Sequence, residues 1–190
     1  MANNKLFVLF LLAILLAMTF YIVHAIDDDN KPEVFYSDVT YAINVSDDRE
    51  LAGFATDIFI GEVIEQTGRS TEPDIRTHFS VEIRETIKGN ATGKVIVNQF
   101  GGYERVYGKK YLSLAEGDEL LQQGETYLFV TKGNEERGYT FIPGYGNILI
   151  KGQNDYQREK SRFQKASAEE IPFKYPEKKI QNQQEVNTTS

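Results

Sequence analysis

The side chains best suited to recognition stand in one stretch, Phe100-Gly101-Gly102-Tyr103-Glu104-Arg105-Val106-Tyr107-Gly108-Lys109-Lys110-Tyr111, which interleaves tyrosines with cations and glycines. Aromatic faces stack on sugars or peptides, and a guanidinium forks onto a carboxylate. Tyr103, Arg105, Tyr107, Lys109 and Tyr111 are therefore candidate ligand-binding residues. Tyr145, in Gly144-Tyr145-Gly146, joins them if that turn reaches the same end of the domain. The competing explanation is a long hairpin whose tyrosines cover the end of a small β domain, since aromatics there commonly serve as packing.

Other chemistry is poorly served. Zinc needs three or four nitrogen, sulfur or carboxylate ligands at workable spacing, and the chain has two histidines and no cysteine. His78 and Glu82 would meet on a helix, but the alternation around them marks a strand, where they stand about 13 Å apart along one face. His78 reads as an exposed strand residue. Asp27-Asp28-Asp29 and Asp47-Asp48 offer oxygen to calcium without the alternating ligands and pivotal glycine of a binding loop, so they read as solvated acids. There is no Gly-x-Ser-x-Gly and no thiol nucleophile. Glu62, Glu82, Glu104 and Asp118 could pair for glycoside hydrolysis only if the fold gathers them. No catalytic residue, metal ligand or cofactor is assigned.

The elements that position these residues are mostly strands. Asp57 to Ile64 is rich in branched and aromatic residues without helical periodicity, which marks a largely buried strand with a bend or bulge at Gly61. Residues 66–74 read as a polar loop. Phe79, Val81 and Ile83 then alternate with polar neighbours. Lys94 to Phe100, Tyr127 to Thr131, Tyr139 to Ile142 and Gly146 to Ile150 continue the series, which gives five or six short strands. Ahead of them, residues 26–46 form a lead-in segment that adds at most a short strand. Ser46 or Asp47 caps a brief helix over Asp48 to Phe54, with Glu50 at capping-box spacing from Asp47. Residues 153–171 are charged and helix-compatible, with Tyr156 and Phe163 as the apolar contacts of a peripheral, loosely docked helix. The tail, 172–190, reads as disordered.

The N-terminus decides where all this works. Leu6 to Val23 carries no charge, with Lys5 before it and three aspartates after it. About eighteen such residues suffice to cross a bilayer core as a helix, and the flanking charges send everything after residue 25 out of the cytoplasm. Val23-His24-Ala25 fits signal-peptidase cleavage after Ala25, whereas the length of the run fits an uncleaved membrane anchor. Both stay open. The formal net charge of −7 disfavours nucleic acid and anionic membrane surfaces as partners. A cysteine-free exported domain of this size reads as bacterial, and most comfortably Gram-positive.

The strings Ala55–Val63, Thr77–Gly89 and Gly124–Val130 resemble, in order and spacing, the netrin-like domain of the tissue inhibitors of metalloproteinases, and more closely the cysteine-free domains of similar pattern in exported bacterial proteins. The likeness spans Leu51 to Gly152. It implies a mainly β fold, a small OB-like, five-stranded antiparallel Greek-key barrel over residues 47–152, to which the sequence adds the peripheral C-terminal helix and the N-terminal signal or transmembrane helix. Inhibition is not carried over, because nothing here matches the N-terminal cysteine that chelates the target's zinc. The expectation is a non-catalytic extracytoplasmic binding or interaction module at the bacterial cell surface, its partner a protein or a cell-wall ligand, with the membrane engaged through the N-terminal helix if that helix is uncleaved. The rivals are an inhibitor of an extracellular metalloprotease and a hydrolase of undefined type.

Overall fold

In the computed structural model, which describes residues 12–19 and 31–174, the elements follow as β1 (Glu33–Ser37), α1 (Asp48–Phe54), β2 (Asp57–Ser70), β3 (Arg76–Lys88), β4 (Lys94–Phe100), β5 (Gly102–Val106), β6 (Lys109–Ala115), β7 (Thr126–Asn134), β8 (Gly138–Phe141), β9 (Asn147–Leu149) and α2 (Gln153–Ala168). The molecule is mainly β with a C-terminal helix. β2 and β7 are apolar on both faces because each separates two cores. Phe59, Val63, Tyr127 and Phe129 point to one side, with Phe79, Val81, Val97, Tyr139 and Phe141. Ile58, Ile60, Leu128 and Val130 point to the other, where Leu51 and Ala52 of α1 and Phe163 and Ala166 of α2 cover them. A strand sandwiched in this way reads as a continuous hydrophobic run rather than an alternating one.

Pairing runs in a ring. β2–β3, β3–β4, β7–β8 and β2–β7 are antiparallel, β4–β8 is parallel, and β9 lies against β7. The β4–β8 link spans two residue pairs, Val97↔Tyr139 and Asn98↔Thr140, so the ring is not a clear barrel. The expected all-antiparallel pairing is thereby corrected, because β8 returns beside β4 in the same direction. The β2–β3 register shifts between Ile60 and Gly61, as the lone glycine in a strand pattern indicates. Beyond it β2 continues as a polar strand on the edge of β3, with Gln66 opposite the buried Phe79 and Arg69 opposite the buried Thr77. The loop expected from residue 66 is thus strand up to Ser70. Its polar, mostly exposed side chains hide it in the sequence.

α1 begins where expected, with Asp47 Oδ1 accepting the Arg49 amide at 2.9 Å. The Arg49 side chain and amide together hold the Asp47 carboxyl down at about 2. Glu50 does not close a capping box on Asp47. It accepts the Asn44 amide at 2.8 Å, while the Asp47 amide goes to the Asn44 carbonyl.

α2 is held more firmly than its charged sequence implies. Phe163 is fully buried, Arg162 grips Asp48 of α1 with two nitrogens, and the Tyr156 hydroxyl and Lys160 both reach Glu85 of β3. One large aromatic and three polar clamps replace the wide apolar stripe of a typical packed helix.

Residues 12–19 are helical and exposed throughout, with Leu12, Ile14, Leu15, Leu16 and Met18 all presenting apolar side chains. Among the described residues no helix is long and apolar enough to cross a membrane. The rest of the expected leader, its cleavage site, Asp27-Asp28-Asp29 and the tail from residue 175 lie outside the described residues.

Candidate functional site

The tyrosine-rich stretch folds as the β5–β6 hairpin, and β1 pairs with it to make a separate three-stranded sheet in the order β1-β6-β5. A two-stranded ribbon is marginal by itself, so β1 matters. At the base, the chain leaves β4 through Gly101 and Gly102, at φ +93° and +149°. A Cβ on Gly101 would stand 2.3 Å from the Ser113 carbonyl oxygen, and one on Gly102 2.3 Å from Thr77 Oγ1. Only glycine lets the backbone turn out of the main sheet that close to β6 and β3. The Thr77 hydroxyl donates to the Gly101 carbonyl at 2.8 Å, and Arg69 Nη1 donates to the Tyr103 carbonyl at 2.6 Å, which pins β5 to the β2–β3 ribbon. Leu114 and Ala115 bury the foot of β6.

Toward the tip the hairpin leaves the core over a length of roughly 15 Å, that of the five-residue β5. Cross-strand partners share a face and alternate faces along the strand. Tyr103, Arg105 and Lys110 therefore lie on one face with Val34 and Tyr36, and the Lys110 ammonium sits 4.3 Å from the centroid of the Tyr103 ring. Lys109 and Tyr111 lie on the other with Val106, Glu104 and Phe35, whose ring is 5.3 Å from that of Tyr111. The six candidates are thus not one surface.

Tyr107 stands at the turn itself, between Val106 and Lys109 of the last pair, with Gly108. Its φ is +49° and that of Gly108 is +83°, the two left-handed residues of a type I′ turn. Its side chain is wholly exposed. Tyr145 is elsewhere. It follows Gly144, whose Cα lies near the Glu116 carbonyl beyond the foot of β6, and its ring meets Tyr41 edge-on at 5.5 Å. The structure therefore brings Tyr145 to the opposite end of the hairpin from Tyr107.

Val34, Phe35 and Tyr36, the three exposed apolar residues of β1, fall in the lead-in segment of the sequence and were not among the binding candidates, because the strand that pairs with them could not be seen in the sequence. Among the described residues no strand pairs with the outer edge of β1.

The acids do not gather. Glu62 faces Glu82 across β2–β3 but is bound by Arg84 at 2.6 Å, and Glu104 accepts the Ser113 hydroxyl at 2.9 Å on the hairpin. Asp118 is buried near the far end, where Oδ1 takes Asn147 Nδ2 at 2.8 Å and the Glu119 amide at 3.1 Å. Its Oδ2 has no hydrogen-bond partner among the described residues. Burial pushes this carboxyl above its ordinary value, against those hydrogen bonds. Nearby, a hollow of about 250 Å³ is lined by Tyr41, Glu116, Gly144 and Tyr145. His78 is half-buried rather than exposed, with Nδ1 2.6 Å from Asn98 Oδ1. No cluster of three or more His, Asp or Glu among the described residues could hold a metal ion.

No family model matches the chain, and comparison with curated proteins gives no match.

Proposed function

We propose that the chain is an exported, non-catalytic binding module of a bacterial cell surface, and that the β1-β6-β5 sheet is its contact element. One observation carries the reading. Tyr107 occupies a left-handed position that asparagine or glycine fills at less cost, and its whole side chain is in solvent. The fold gains nothing from a tyrosine there. Strain kept at an exposed aromatic belongs to a contact outside the chain. Val34, Tyr36, Tyr103 and Val106, all exposed, extend the apolar surface along the same sheet. The apolar leader supports export, and the exposed helical residues 12–19 agree with a segment whose surroundings are lipid.

The pairing order supports the finer reading of the body as an OB-like barrel similar to netrin-like domains. β2-β3-β4 form a meander, β8 lies beside β4, and β7 returns to β2. A partly open, five-stranded Greek-key barrel has this character, with loops and added hairpins free to recognise ligands.

Because the chain lacks cysteine, Tyr107→Cys and Glu136→Cys each introduce a unique thiol, one at the hairpin tip and one at the exposed β7–β8 turn. In intact cells both thiols should react with a membrane-impermeant maleimide, the first more slowly than the second. In the purified chain they should react alike. Labelling only after lysis would contradict export, and equal rates in cells would contradict the contact role.

A further inference from the structure

β1 runs parallel to β6, with Glu33 level with Tyr111 and Ser37 level with Ala115. The chain consequently enters β1 at the tip end of the hairpin, and the same register continued upstream puts position 31 level with Lys109. Residues 24–32, between the apolar leader and β1, reach at most about 30 Å when fully extended. A leader held in a bilayer would therefore deliver the chain to the tip end of the hairpin, within about 30 Å of that bilayer.

We propose that the hairpin tip is a foot on the bilayer that holds the leader: Tyr107 and Val106 seat among the lipid headgroups while Arg105, Lys109 and Lys110 meet phosphate. This rests on the exported reading above and on a retained leader. Tyrosine is suited to the interface because its ring is apolar and its hydroxyl stays wet. Cations on both faces of the tip suit anionic headgroups, each worth roughly fivefold in surface partitioning. The net charge of −7 describes the whole chain, whereas the tip carries three cations beside Glu104. Asp27, Asp28 and Asp29 in the tether oppose the attraction, so the aromatic contact holds the tip and the cations orient it. A protein partner would need about 800 Å² of surface per side. The strained, fully exposed residue instead sits on a two-residue turn, which suits insertion better than a flat interface.

The absence of tryptophan from the chain makes the test direct. Tyr107→Trp, Val106→Trp and Tyr145→Trp are each made in the full chain and reconstituted into vesicles of phosphatidylcholine and phosphatidylglycerol, with and without bromine in the acyl chains. In the first two variants emission should shift to the blue and lose most of its intensity to the brominated lipid. The Tyr145→Trp variant should show neither change. Equal, unquenched emission from all three while the chain floats with the vesicles overturns the inference and leaves the exported module standing, as would hold if the tip met a protein or a wall polymer. Quenching only in the Tyr145→Trp variant also overturns it. Recovery of the chain in the cytosol of its host overturns the exported reading as well.

Discussion

Tyr107 and Asp118 stand in surroundings that the fold does not justify. For a non-glycine residue the left-handed region costs about 1–2 kcal/mol, and Tyr107 returns no packing for it. Tyr107→Asn should therefore raise stability by on the order of 1 kcal/mol, seen as a higher denaturant midpoint at unchanged slope, while weakening the surface contact. Stability gained at the expense of binding is the usual mark of a functional position. Asp118 carries the opposite burden, a carboxyl raised by burial with one oxygen unpartnered among the described residues. Because its folded-state value lies above the unfolded one, the folded chain binds the extra proton. The stability this group contributes is complete below its ordinary value of 3.8 and is lost as pH rises through the raised value. Asp118→Asn should remove that loss. Denaturant midpoints of variant and parent should agree in acid and separate in the variant's favour toward neutral pH; a constant offset at every pH would contradict the assignment.

At the level of elements, α2 shows how few contacts secure a charged helix. Phe163 is its one large buried apolar side chain, so Phe163→Ala should cost about 3–5 kcal/mol, measured by denaturant unfolding. A loss under 1 kcal/mol would mean that the ion pairs to Asp48 and Glu85 carry the docking. The sequence made this helix visible through its composition but not its grip, because Arg162, Asp48, Lys160 and Glu85 meet only after the chain has folded. The core strands were legible from their branched and aromatic runs, and Gly61 announced its bulge. The polar end of β2 was not, since residues 65–70 bury no side chain and so have no hydrophobic period to read. The parallel partnership of β1 with β6 was equally hidden. Seventy-odd residues separate them, and β1 is exposed along its whole length, so it shows no buried face that would fix the register.

As a whole the molecule has two parts with different physical tasks. The ring of strands with its two helices buries two apolar clusters. The three-stranded sheet leaves that body at Gly101 and Gly102 and exposes aromatics on both faces. The candidate stretch was located from its residue types, but strand alternation divides it, and Tyr145 belongs to the other end. Register also gives the molecule a direction, with the chain from the leader arriving beside the tip. On the proposed reading, a small ordered body with an exposed, aromatic projection makes its contact through that projection.

Amide hydrogen exchange of the full chain, measured with and without envelope fragments from its host, tests that claim most directly. Slowed exchange confined to residues 33–37 and 103–111 is the expected result. Unchanged exchange there, or protection gathered instead on α2 and the β7–β8 turn, would contradict it.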